Sequence, residues 1–151
     1  MADYELIDNS EEVLSALERA KERALEAIGM TAERHAKEIL SETVYGSQNN
    51  EESGRTWKLT GRLRNSITYA ISGKGAKLKE YSDIDGQTYR YQGNAPDDRD
   101  KSVYLGTNVE YAAGIETGTH RKKGAVHFLQ RASTEHTAEY QQLFEDSLKN
   151  A

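Results

Sequence analysis

Between Leu59 and Ile71 the chain changes its period. The residues L-T-G-R-L-R-N-S-I-T-Y-A-I begin as a turn with a very short helix and finish as a strand. Thr60 offers a hydroxyl to cap the helix start, and Gly61 lets the backbone enter it tightly. Leu63 points inward between Arg62 and Arg64. From Ile67 the spacing is two, so Ile67, Tyr69 and Ile71 share one face and Thr68 and Ala70 the other. Such a hinge holds a long helix before it and a sheet after it.

The helix before it is the longest regular pattern in the chain. Residues 1–9 read as a loose arm with Tyr4, Leu6 and Ile7 to dock it. Asn9 or Ser10 then caps a helix over 10–44, with Glu11 and Glu12 in the first turn, where the macrodipole favours acid. Val13, Leu14, Leu17, Ala20, Ala24, Leu25, Ile28, Ala32, Ala36, Ile39 and Leu40 recur at three- and four-residue steps. At about 1.5 Å per residue this helix approaches 50 Å, more than a domain of this size covers alone. Gly29 marks a bend or break if the helix is shorter than its pattern. His35 falls on the apolar face and reads as a packed imidazole. Glu33 and Lys37 pair at i,i+4 on the outer face.

Gly46–Thr56 is polar and bracketed by glycines, a surface loop; Trp57 after it anchors the chain to the core or to an interface. Residues 72–101 form an excursion. Asp85-Gly86 between two tyrosine-bearing arms signals a hairpin with a two-residue turn, which sets Tyr81 opposite Arg90 and Tyr89 and Tyr91 on the other face. This polar arm either reaches a neighbour or is a solvated extension of the sheet. Val103–Leu105 reads as a buried strand ending at Gly106. Asn108 or Thr107 caps a short helix with Val109, Ala112 (or Tyr111) and Ile115 inside, and Gly118 ends it. Glu116, near the wrong end of that helix for an acid, calls for a partner in Arg62 or Arg64. His120, Arg121, Lys122 and Lys123 form a basic loop, either solvated or in contact with DNA phosphates or an acidic protein surface. From Phe128 a second helix runs to about Leu148, with Phe128, Leu129, Ala132, Tyr140, Leu143, Phe144 and Leu148 inside and His136 near the same stripe.

Composition limits the chemistry. The 151 residues suit one domain, yet 36% hydrophobic and 30% charged residues are lean for a monomer. Extra burial against neighbouring subunits, or exposed loops, would account for that. A net charge of −5 is not that of a chain built to coat nucleic acid, and no cysteine is present for disulfides or thiolate chemistry. No signal peptide or membrane-spanning run is evident, so a soluble chain made in a cytosol is expected. His35, His120, His127 and His136 follow no ligand spacing, and no nucleophile elbow or phosphate-binding loop occurs. The expectation is a protein without catalytic residues, metal or cofactor, a hydrolase being the weakest reading.

Taken together, T-G-R-L-R-N-S-I (60 to 67), G-T-N-V-E-Y-A-A-G-I-E-T-G-T (106 to 119) and H-F-L-Q-R-A (127 to 132), after a long charged helix, resemble the neck or tail-completion proteins of long-tailed bacteriophages. The resemblance places Thr60, Gly61, Arg62 and Leu63 on the family's first motif. Tyr111, Ala112, Glu116, Gly118 and Thr119 fall on the second, and Phe128, Leu129 and Ala132 on the third. It implies one α+β domain over residues 1–151: a long N-terminal helix and a C-terminal helix packed on an antiparallel β-sheet, with a protruding β-hairpin. It further implies a structural virion protein that forms a homo-oligomeric, typically hexameric, ring at the head–tail interface. Its partners would be a head-closure protein and the tail terminator, with DNA passing through the channel and no membrane. Such a protein assembles in the host bacterial cytoplasm. The loop of His120, Arg121, Lys122 and Lys123 would line or rim the channel. The alternatives are the tail terminator ring protein itself and, from another class, a nucleic-acid-binding regulator. Three departures stand out: the family's proline before T-G-R-L is absent, its proline before F-L is His127, and the 72–101 excursion is long.

Overall fold

The computed structural model describes residues 9–44, 61–97, 101–119 and 124–150, together with the backbone of 51–52 and 55–56. The N-terminal arm, Trp57, Thr60 and the basic residues 120–123 lie outside the described residues. The fold is α+β, with a long N-terminal helix, a C-terminal helix and small antiparallel sheets that include a hairpin.

Helix α1 runs unbroken over Ser10–Thr43, 34 residues. Asn9 occupies its cap position without a side-chain cap bond. Its buried face (Ala20, Ala24, Leu25, Gly29, Ala32, His35, Ala36, Ile39, Leu40) follows the predicted stripe from Ala20 onward. Gly29 does not break the helix. A Cβ there would lie 2.3 Å from Cδ2 of Tyr69, so the missing side chain makes room for a ring. Glu26, one turn earlier, accepts the Tyr69 hydroxyl at 2.5 Å. Burial and that carboxylate together push the Tyr69 pKa well above the phenol range.

After the short strands β1 (Glu51–Glu52) and β2 (Arg55–Thr56), which pair antiparallel within the expected loop, comes α2 (Arg62–Ser66). Strand β3 (Thr68–Ile71) is buried along its whole length and pairs antiparallel with β6 (Val103–Gly106), Thr68 opposite Gly106. The latter is half-buried rather than buried. Strands β4 (Lys77–Ser82) and β5 (Thr88–Gly93) make the hairpin. Among the described residues the expected single sheet is three two-stranded ladders. Side chains join them: Tyr91 donates its hydroxyl to the Ser66 carbonyl at 2.6 Å, and Asn65 donates to the Ser82 carbonyl at 2.8 Å.

The hairpin register differs from the expected one by a residue. Tyr81 faces Tyr89 and Glu80 faces Arg90. The cause is Asp83, whose carboxylate accepts the backbone N–H groups of Asp85 and Gln87, both at 3.0 Å. With Asp83 N–H bonded to the Gln87 carbonyl and Gly86 at φ 80°, the loop is a turn plus a left-handed residue. A one-residue slip flips a strand's faces, so Tyr81, Tyr89 and Tyr91 share one side.

The C-terminal helix is two helices, α4 (Phe128–Thr134) and α5 (Thr137–Lys149). Ser133 and Thr134 bond back to the carbonyls of Leu129 and Gln130, and the run S-T-E-H-T is weak in helix formers. Tyr140 of α5 donates its hydroxyl to the Ala132 carbonyl across the break. No residue of α5 is fully buried, although Tyr140, Leu143, Phe144 and Leu148 form its half-buried stripe. The main core lies where the C-terminal third of α1 (Ala36, Ile39, Leu40) meets Leu63, Ile67, Val109, Ala112, Val126, Phe128 and Ala132. A smaller core of Leu25, Tyr69 and Ile71 sits under Val103 and Leu105. Among the described residues no helix is long and apolar enough to cross a membrane.

Candidate functional site

The three motif stretches converge on the main core. Leu63, Ala112, Phe128 and Ala132 are buried in it, and Tyr111 and Leu129 pack against it. Gly61, at φ 77°, starts α2 in a conformation that costs an L side chain about 1 kcal/mol or more. That start aims Leu63 inward and Arg62 outward.

Arg62 is the centre of the outer face. Its Nη1 and Nη2 donate to the two oxygens of Glu110, each at 3.2 Å, the paired geometry that suits a guanidinium. The same guanidinium lies over the Tyr89 ring, 4.5 Å from its centroid. Tyr89 stacks on Tyr81 at 5.3 Å, and the Tyr81 hydroxyl donates to Asn108 at 2.8 Å. Burial works against the Arg62 charge, but Glu110 and Tyr81 outweigh it and the pKa is raised further. Glu110 is held below the usual carboxylate range by a backbone hydrogen bond and by Arg62. The hairpin is thus fastened by one face to α2 and the 106–111 turn. In that turn Thr107 accepts the Val109 N–H at 3.1 Å. Thr107 stabilises a turn rather than a helix, and α3 (Ala112–Thr117) starts later than the sequence suggests.

Glu116 does require a partner, but neither hinge arginine supplies it. Its two oxygens accept the N–H groups of Leu129 at 2.9 Å and Gln130 at 3.0 Å, the open donors at the start of α4. Arg64 instead donates to Ser41 of α1 at 3.3 Å. The macrodipole argument holds: an acid at the C-terminal end of α3 is placed at the N-terminal end of α4. Between these helices the chain turns at Gly118, φ 82°, where a Cβ would lie 2.6 Å from the Ala125 nitrogen. Backbone bonds from Val126 to Ile115 and from His127 to Glu116 clamp the base of the loop. Thr119 bonds Thr117 at 2.9 Å on the near side of that loop. His127 adopts φ 54°, which proline's ring forbids, so a proline here would require a different local backbone. The motif residues in the described segments therefore act mainly as architecture, with Arg62 and Thr119 directed outward. His120, Arg121, Lys122 and Lys123 belong to the loop this clamp closes, and Thr60 precedes Gly61; all five are outside the described residues.

The structure also unites residues that no spacing rule groups. His35 of α1 and His136, which precedes α5, lie face to face with ring centroids 3.5 Å apart. Glu139 accepts from His35 Nε2 at 2.9 Å. That hydrogen bond, with the charges of His35, Arg34 and His136, holds the Glu139 carboxyl below its ordinary range. One donor atom from each of the three lies within 4.8 Å of the others, so they are the described group able to hold a metal ion. The only signal in the sequence was that both histidines fall on inward stripes. No protein-family model matches the chain, and neither a curated protein nor a solved structure gives a significant match.

Proposed function

We propose that the chain is a non-enzymatic structural subunit that joins head and tail in a long-tailed phage, as one member of a ring around the DNA channel. The observation that carries this reading is the mismatch between α1 and the body that covers it. From Ser10 to Arg19, about 15 Å of helix, α1 has no buried residue, and Val13 and Leu14 are 50% and 61% exposed. Neighbouring copies in a ring would cover the helix, and a ring needs no catalytic constellation. The motif residues fit the same reading, because they build the core and the clamp under the 119–124 loop. That loop is the segment proposed to face the channel.

Capture experiments separate this reading from its closest rival. Immobilised chain is expected to retain assembled head-closure rings from the same phage. Retention of tail-tube ends alone would assign the chain to tail termination instead. Tight duplex binding with a steep salt slope, and capture of neither structure, would make it a regulator.

A further inference from the structure

Where α5 begins against α1, the geometry points to a binding site for a divalent transition-metal ion of the Zn²⁺ class, held by His35, His136 and Glu139. Glu139 Oε2 lies 2.9 Å from His35 Nε2 and 3.8 Å from His136 Nδ1. In a tetrahedral zinc site, with bonds of about 2.0–2.1 Å, adjacent donors stand roughly 3.3 Å apart. The two observed separations bracket that value. Two imidazoles and one carboxylate are a borderline-soft donor set, suited to Zn²⁺ rather than to Ca²⁺ or Mg²⁺.

The surroundings orient the donors. Arg34 Nη2 is 3.4 Å from Glu139 Oε1, which leaves Oε2 toward the rings. Glu38 lies 3.5 Å from His35 Nδ1, the carboxylate-behind-imidazole arrangement that fixes a ligand's ring and raises its basicity. Tyr140 flanks both rings, with centroids 6.3 and 6.4 Å away. The rings are parallel to within 2°, so one must turn before both nitrogens meet a single ion. His136, 31% exposed against 10% for His35, has the room to do so. A fourth position would open to water, since Glu139 is 41% exposed. The ion would tie α5, which has no fully buried residue, to α1 across 104 residues of sequence.

The test uses the full chain without a histidine tag, stripped with a chelator and titrated with ZnCl₂ near pH 7.5, since metal binding at imidazole competes with protons. Calorimetry should give one ion per chain, and Tm should rise on the order of 5–10 °C at a hundredfold excess over Kd. Co²⁺ should give the intense visible bands of a four-coordinate site. H136N and E139Q should each weaken Zn²⁺ binding about tenfold or more. H127N, an exposed position where asparagine tolerates positive φ, should leave it unchanged. Absence of heat and of any Tm change up to about millimolar Zn²⁺ would overturn the proposal. So would binding that survives in an H136N/E139Q double variant with wild-type circular dichroism. A Tm that responds to pH but not to Zn²⁺ would make the trio a proton-sensitive contact and would also overturn it.

Discussion

Gly29→Ala sets two known effects against each other. In an ordinary helix interior the change stabilises by about 0.8–1.0 kcal/mol, because glycine loses more backbone entropy. Here the new Cβ would stand 2.3, 2.6 and 2.8 Å from Cδ2, Cγ and Cε2 of Tyr69. These are ring and root atoms, so the ring must move as a body. Its hydroxyl is held by Glu26 and its face is covered by Lys77, with Nζ 3.5 Å from the centroid. Overpacking of this kind costs about 1–3 kcal/mol, and three contacts below 3.0 Å put it near the upper end. The net expectation is a loss of about 2 kcal/mol, or about 4–8 °C in Tm. Denaturant unfolding of wild type, G29A, Y69A and the double variant closes the cycle. Y69A alone should cost about 3–5 kcal/mol. In its background G29A should turn stabilising, by up to about 1 kcal/mol. If G29A stabilises the wild-type chain, Tyr69 does not occupy the Gly29 face and the account of α1 against β3 is wrong.

Glu116→Ala removes the acceptor for two N–H groups at the start of α4 and should cost about 1–2 kcal/mol in denaturant unfolding; an unchanged midpoint would show those groups satisfied elsewhere. Glu139 has a folded pKa below its ordinary 4.5, so its contribution is full above that pH and is lost as pH falls through the folded value. The Tm gap between wild type and E139Q, measured with chelator present, should therefore shrink as pH falls below about 4.5; a gap that widens on acidification below that value would reverse the sign of the argument. Changing Arg121, Lys122 and Lys123 together to serine should leave circular dichroism and Tm unchanged, because the clamp beneath the loop is made by backbone and Glu116; loss of folding would make the loop structural.

The features legible in the sequence were those written in local spacing. From Ala20 onward the stripe of α1 lies where its period places it, while Val13 and Leu14 of the same predicted stripe stay exposed. The hinge at Gly61 and Leu63 and the inward Ile67 also lie where local spacing places them. Failures occurred where a distant or side-chain partner decided the outcome. Glycine's rank as a poor helix former suggested a break at Gly29, but a ring on another strand needed the space. The Asp85-Gly86 pair suggested a two-residue turn, and the Asp83 carboxylate made it a longer one and moved the tyrosines to one face. Dipole reasoning showed that Glu116 needed a partner and named the wrong one, since its partners are backbone N–H groups at the start of α4, which no side-chain spacing signals. His35 and His136 were each placed on an inward stripe, yet their meeting with Glu139 depends on how α5 returns to α1. No local pattern encodes that return.

The central claim is that this chain is completed by copies of itself around a partner ring. Light scattering on the purified protein, alone and with the proposed head-closure partner, measures that directly. A mass that is a ring-sized multiple of the 16.9 kDa chain in either sample, reduced to monomer by V13S/L14S without loss of helicity, is the predicted result. A monomer in both samples would contradict the account.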